Sequence, residues 1–167
     1  LEDTDPEEIQ AALAQRNQPP APEIPEVGEG GKYASVPVST RSLRGMVGKE
    51  RGKAAINAAL EDTKKLPVHP ELGEIHVGKR RLRDSTKKRP SEDKDAAIMR
   101  IKSVIENGTK IKDEASLHTK FADRAYLLET PLIIDGEKRW AYTTIQHHFR
   151  TDDMHLHHVD VFQNREA

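Results

Sequence analysis

Apolar positions along this chain repeat with two different periods, and the change of period separates a helical part from a stranded tail. Ala54, Ala55, Ala58, Ala59 and Leu60 are spaced to turn one helix face inward. They predict a helical region capped by Ser39 or Thr40 and running to about residue 65, where Pro67 and Pro70 break it. Ala96, Ile98, Met99, Ile101, Val104 and Ile105 form a second and stronger apolar face, with Arg100, Lys102 and Glu106 pointing away. That helix opens at Asp93 or Asp95 and stops at Asn107-Gly108. The period then shortens to two. Ala125 to Ile134, Trp140 to Phe149 and Met154 to Phe162 read as three strands joined by turns at Asp135-Gly136 and Thr151-Asp152-Asp153. Pro131 marks an edge or a bulge in the first of them. Tyr33 to Val38 and Glu74 to Val77 are short strand candidates. The order predicts an α+β fold, with N-terminal helices packed on one face of a C-terminal antiparallel sheet and the other face open.

The first thirty residues have a different character. Asp5, Pro6 and Glu8 predict the start of a short helix over residues 3–16. A proline-rich stretch from Gln18 to Glu26, followed by Gly28, Gly30 and Gly31, reads as linker. We therefore expect a leader over 1–30 and a folded domain over 31–167. The formal net charge of -1 conceals a split between them. The leader holds eight acidic residues against Arg16 alone, which leaves 26 basic and 20 acidic residues, an excess of +6, in the domain. A basic body is the footprint of a polyanion binder, and equally that of a well-solvated surface.

The remaining composition excludes several classes. There is no cysteine, which rules out disulfides, zinc–thiolate sites and thiol nucleophiles. No apolar run reaches transmembrane length and nothing resembles a signal peptide, so no membrane partner is expected. The chain begins at Leu1, so we expect a parent polypeptide N-terminal to it. No Walker loop, G-x-G-x-x-G or G-x-S-x-G string occurs.

Two features carry candidate chemistry. Lys79, Arg80, Arg81, Arg83, Lys87, Lys88 and Arg89 fall within eleven residues, opposed only by Asp84. That density suits phosphate contacts, with Ser85 and Thr86 as neutral donors, or else a solvated charged face. The second feature is histidine: His118, His147, His148, His155, His157 and His158 all lie in the last fifty residues. Imidazole titrates nearest neutral pH, so it suits both halves of a proton-transfer pair. Strand alternation places Ala141, Thr143, Ile145, His147 and Phe149 on a core face. The opposite face carries Trp140, Tyr142, Thr144, Gln146 and His148, which is what a platform for single-stranded RNA needs, or the wet side of a half-buried sheet. His155 and His157 share a face and would supply two metal ligands, with His147 or Asp160 as a third, but no H-E-x-x-H pattern occurs. The expectation is a site without metal or cofactor.

Taken together, the run from Glu74 to Lys79, then Asp84-Ser85, then an amphipathic helix ending Ile105 to Ile111, then a three-stranded meander, resembles the phage-associated branch of the barnase/EndoU/colicin/RelE-like nuclease superfamily. These domains occur in polyvalent phage proteins and polymorphic toxins, and the resemblance covers about residues 72–163. It implies metal-independent RNA cleavage on the open sheet face by attack of a ribose 2′-OH on the adjacent phosphate, leaving a cyclic phosphate. By the same resemblance Lys79, with Arg81 near it, would stabilise the phosphate and His118 would act as acid or base. Thr144 and His148 would line the site with Gln146 beside them, and His157 would complete it. Arg80, Arg83, Lys87, Lys88 and Tyr142 would bind RNA. The sequence departs from the pattern in a long, proline-containing basic loop over 79–92. A toxin or phage nuclease acts in the bacterial cytoplasm after delivery, or resides in the virion, and implies a cognate inhibitor protein. Two other functions fit the same residues: a nucleic-acid-binding module without catalysis, and a protein-interaction domain of a virion or effector protein.

Overall fold

Two strands of the expected meander pair along almost their whole length: β5 (Ala122–Ile134) and β6 (Glu137–His148), joined by a tight turn at Asp135-Gly136. Both turn residues have positive φ, 50° and 87°, the backbone that a two-residue hairpin connection demands and that Asp-Gly supplies at low cost. β7 (Asp153–Phe162) pairs antiparallel with β6, as expected. The structure, a computed structural model, describes residues 35–116 and 120–166. The expected leader helix and linker, the first residues of the Tyr33–Val38 strand, and His118 lie outside them. Residues Val36–Ala167 form one compact unit.

The fold is α+β, but its sheet is mixed. β1 (Val36–Val38) pairs parallel with β5, and β3 (Gly73–His76) pairs parallel with β7. β2 (Val68–His69) pairs with β3, which gives the order β1-β5-β6-β7-β3-β2. The expected all-antiparallel sheet is thus corrected at both edges, where short strands arrive from the helical half of the chain. A further strand, β4 (Thr109–Ala115), pairs antiparallel with β5; the sequence pattern stops the core helix at Asn107-Gly108 and predicts no strand directly after it. β4 and β1 share one edge of β5: β4 covers Arg124 to Glu129 and β1 covers Leu132 to Ile134. Pro131 falls in the gap between them, where its missing N–H costs no ladder bond on that edge.

Four helices cover the core. α1 (Gly48–Asp62) presents Ala55, Ile56 and Ala59 inward, following a short 3-10 turn at Arg41–Leu43. The expected core helix forms as two: α3 (Glu92–Met99), capped by the Ser91 hydroxyl accepting from the Lys94 N–H at 3.0 Å, and α4 (Ile101–Glu106). Arg100 divides them with φ -113° and ψ 31°, well outside helical backbone. The expected basic loop is a helix over most of its length, α2 (Lys79–Lys87), with only Leu82 and Ser85 buried. Leu128, Leu132, Ala141, Ile145, Leu156 and Val159 line the sheet face beneath the helices. Each fully buried branched residue there contributes about 1.5–3 kcal/mol. Thr130 donates to the Val104 carbonyl at 2.7 Å, tying α4 to β5.

Candidate functional site

Four strands bring a ring to one end of the sheet. Register sets Ala122 opposite His148, Gln146 opposite His155, and His76 opposite His155. The His148 and His155 rings stack with centroids 3.9 Å apart and planes 13° from parallel. His76 stacks on the other side of His155, 4.9 Å away and inclined by 23°. Phe121, immediately before β5, meets His148 at 5.9 Å with a tilt of 46°. The result is a column of aromatic rings running across β5, β6, β7 and β3, at right angles to the chain direction.

Asp153 anchors this column. Its carboxylate accepts from His155 Nε2 at 2.8 Å and from Thr151 at 2.6 Å, and lies 3.4 Å from His76 Nε2. The Thr151 hydroxyl and then the His155 imidazole hold the Asp153 carboxyl below its ordinary range. Burial, and then the His155 charge, push the His148 pKa down as well, which for a base favours the neutral form. A neutral imidazole therefore lies against an imidazole fixed by a carboxylate.

Helix α2 supplies the charge. Arg81, Ser85 and Lys88 recur at spacings of four and three, which puts them on one side of the helix. That side faces β7. The Val159 amide donates to the Ser85 hydroxyl at 3.1 Å, and the Ser85 Oγ lies 3.4 Å from His158 Nδ1. Arg81 is close enough to depress both His148 and His157. His157 is the extra residue of a β-bulge: Thr144 pairs with His158 and Ile145 with Leu156, leaving His157 opposite nothing. Burial first, and then Arg81, lower its pKa, and its Nδ1 is buried without a hydrogen-bond partner among the described residues. The bulge interrupts the alternation on which the His155–His157 pairing rested; among the described residues the ligand atoms that converge are those of His148, Asp153 and His155.

Two further clusters flank the column. His147 bridges Asp123 at 2.7 Å and Asp152 at 2.8 Å, and these hydrogen bonds raise its pKa, that to Asp123 foremost. Asp160 meets Arg89, Lys94 and His158. Burial alone would raise the Asp160 carboxyl, but the Arg89 and Lys94 cations hold it low. The Lys94 ammonium, 1% exposed, also donates to the Lys88 carbonyl, and burial lowers its pKa despite Asp160. These contacts pin the end of α2 to β7.

The sequence-predicted residues divide accordingly. Of these residues, Arg81 acts electrostatically on both His148 and His157. Thr144 lies on the same strand face as His148 but four residues away, about 13 Å along the strand at 3.3 Å per residue, so the two do not touch one phosphate together. Lys79, Arg80, Arg83, Lys87 and Lys88 are exposed. Tyr142 and Gln146 were expected on an open face but are only 7% and 5% exposed. The Tyr142 hydroxyl donates to Glu129 at 2.7 Å and accepts from the Glu166 amide at 2.6 Å, and Arg165 closes over Glu129 at 2.9 Å. The carboxy-terminal segment thus covers the face at Tyr142. Sequence reasoning missed His76, which a parallel pairing brings from nearly eighty residues away, and Phe121 and Asp153, which the antiparallel register of β5 and β7 sets beside the end of β6. The only available signal was the repetition of histidine near strand ends.

His148, Asp153 and His155 hold ligand atoms within 4.8 Å of one another. Imidazole binds a metal in the plane of its ring at about 2 Å, whereas an ion placed between two nearly parallel rings would sit about 2 Å out of both planes. One ring must turn before both can ligate, so the stacked column is not itself a chelating arrangement. No family model matches this chain, and neither curated proteins nor solved structures give a match.

Proposed function

We propose that this domain is a metal-independent endoribonuclease of the barnase/EndoU/colicin/RelE-like kind, acting on RNA from a phage-delivered or toxin polypeptide. One observation carries the reading: His148 stacked on an Asp153-anchored His155, with Arg81 of a basic helix near enough to act on His148. In the proposed step His148 takes the proton from a ribose 2′-OH as that oxygen attacks the adjacent phosphorus. The bond to the 5′ oxygen breaks, and His155 supplies the proton that this leaving group needs. Arg81 neutralises charge on the crowded phosphate, as preorganised cations do in such steps. The exposed Lys79, Arg80, Arg83 and Lys87 steer and hold the polyanion. A cyclic phosphate and a free 5′-hydroxyl result.

The test is RNA cleavage in EDTA by the purified chain, with products identified by mass. His148→Ala and His155→Ala should each lower the rate by about 10²- to 10⁴-fold, the range of a lost general acid or base. His118→Ala belongs in the same series, because the resemblance implies an acid or base role for it. If the folded protein leaves every RNA whole, the enzyme reading fails. Salt-sensitive binding without products would then favour a module that only tracks phosphates, a reading supported by the solvent-facing row of Arg80, Arg83 and Lys87 on α2.

A further inference from the structure

The ring column does not end in the protein interior. Phe121 is 51% exposed and Phe149 is 47% exposed. They are neighbours, with the Phe149 amide donating to the Phe121 carbonyl at 3.1 Å. The Arg150 guanidinium lies 5.9 Å from the Phe149 ring centre. His155 stacks on His148, and Arg81, in the first turn of the basic helix, is near enough to His148 to lower its pKa. A flat apolar ring and a row of imidazoles therefore follow one another across the sheet end, within electrostatic reach of a guanidinium. A nucleotide offers the complement, a flat base joined through its sugar to a phosphate.

We propose that Phe121, together with Phe149, is the stacking subsite for a nucleobase of single-stranded RNA whose phosphate lies at Arg81. The inference rests on the proposed nucleic-acid reading and adds to it a required strand state. A base can lie against Phe121 only when it has left its own helical stack, so paired RNA is excluded from the subsite. Because every base has an aromatic face, the subsite favours unpaired RNA without selecting strongly for sequence. The tilt of Phe121 against His148 matters here. Phe121 is the end ring of the column, inclined to His148 and half-exposed, so it has ring surface left for a base.

The experiment uses the full chain and a short fluorescein-labelled 2′-O-methyl RNA, which lacks the attacking hydroxyl and survives binding. A matched strand with abasic positions and a duplex of the same sequence complete the set. Wild type should bind the base-containing single strand more tightly than either. Phe121→Ala should weaken binding of that strand by roughly five- to a hundredfold, the effect of losing one stacked base, and leave binding of the abasic strand unchanged. Phe121→Trp should restore the preference and Phe121→Leu should not, which separates stacking from simple packing. Equal losses on base-containing and abasic strands, or none on either, overturn the subsite. So does preferential binding of the duplex. Failure of this proposal is distinguishable from failure of the enzyme reading. Base-dependent binding without cleavage of ordinary RNA sinks the nuclease and keeps the subsite, whereas cleavage with base-independent binding does the reverse. If neither single strand binds and Phe121 instead captures a protein, both are wrong.

Discussion

His148 and His155 lie face to face, 3.9 Å apart, on neighbouring antiparallel strands, and only His155 has a carboxylate of its own. At that separation each proton added to one ring is felt by the other. His155→Ala should raise the His148 titration midpoint, since it removes both a repelling charge and part of the ring's cover. Asp153→Asn should lower it further, because the Asp153 charge is what favours the His148 cation. Histidine ring proton shifts against pH read both directly. A His148 midpoint that ignores both substitutions would mean that the column is not coupled.

Arg81 acts on two imidazoles from one position. Arg81→Ala should raise the midpoints of both His148 and His157. It should also weaken RNA binding and reduce the slope of log affinity against log salt by about one phosphate contact. Lys79→Ala should reduce the salt slope similarly while leaving the two histidine midpoints in place. The pair of variants separates local electrostatics from general attraction.

The histidines pull stability in opposite directions as pH changes. His147 has a raised folded pKa, so its contribution is fully present below about pH 6.5, the ordinary value, and fades as pH rises through the raised one. His148, His157 and His158 have lowered folded values. Below about pH 6.5 the unfolded chain takes protons that the folded chain refuses, so stability falls with pH until the lowered values are passed. His147→Ala should therefore lose more melting temperature at pH 6 than at pH 8, and should steepen the acid-side decline. Equal losses at both pH values would break the assignment of His147 to its two carboxylates.

Much of the frame was legible in the sequence, and the reasons for the exceptions are specific. β6 and β7 were visible because apolar and polar residues alternate along them, and Asp135-Gly136 fixed the hairpin. β4 carries Ile111 as its main apolar residue and is exposed from that position onward, so no alternation marked it. α2 was hidden by its own charge: with Leu82 as its lone apolar residue, it gives no helical face to read. The core helix was found, but the break at Arg100 left no trace in the spacing. Arg81, His148 and His157 were named from residue type and strand parity. His76 was not, because the parallel pairing of β3 with β7 is a tertiary event. Tyr142 failed as an open-face residue because the carboxy-terminal Arg165 and Glu166, outside any periodic segment, fold over it.

Gly108 links α4 to β4 where the backbone passes close over β5. A methyl group there would stand 2.9 Å from both the Leu128 Cβ and the Thr130 Oγ1, and the Gly108 carbonyl accepts from His69 Nε2 at 2.8 Å. Gly108→Ala should cost about 1–3 kcal/mol through overpacking, measured by urea unfolding. A neutral result would mean that α4 lifts away from the sheet at little cost.

Tyr142 has its phenol pKa pushed up to about 12 by burial and by the Glu129 carboxylate. Ultraviolet titration should show a tyrosinate component near that pH which vanishes in Tyr142→Phe. The same variant should lose about 1–2 kcal/mol of stability, since a hydrogen bond to a buried carboxylate disappears while Arg165 keeps the charge paired. No change in either measurement would place the hydroxyl in water.

The shared edge of β5 has a consequence for the order in which the chain assembles. Pairing β4 with β5 joins segments that are close in sequence, and so does the β5–β6 hairpin. Val36 meets Leu132, by contrast, only after a loop of some ninety-six residues has closed. Closing so long a loop costs entropy that three residue pairs repay poorly until the rest of the sheet exists. The parallel edge strand should therefore dock late on the folding pathway. Substitutions at Val36 or Val38 would then speed unfolding and leave the folding rate nearly untouched.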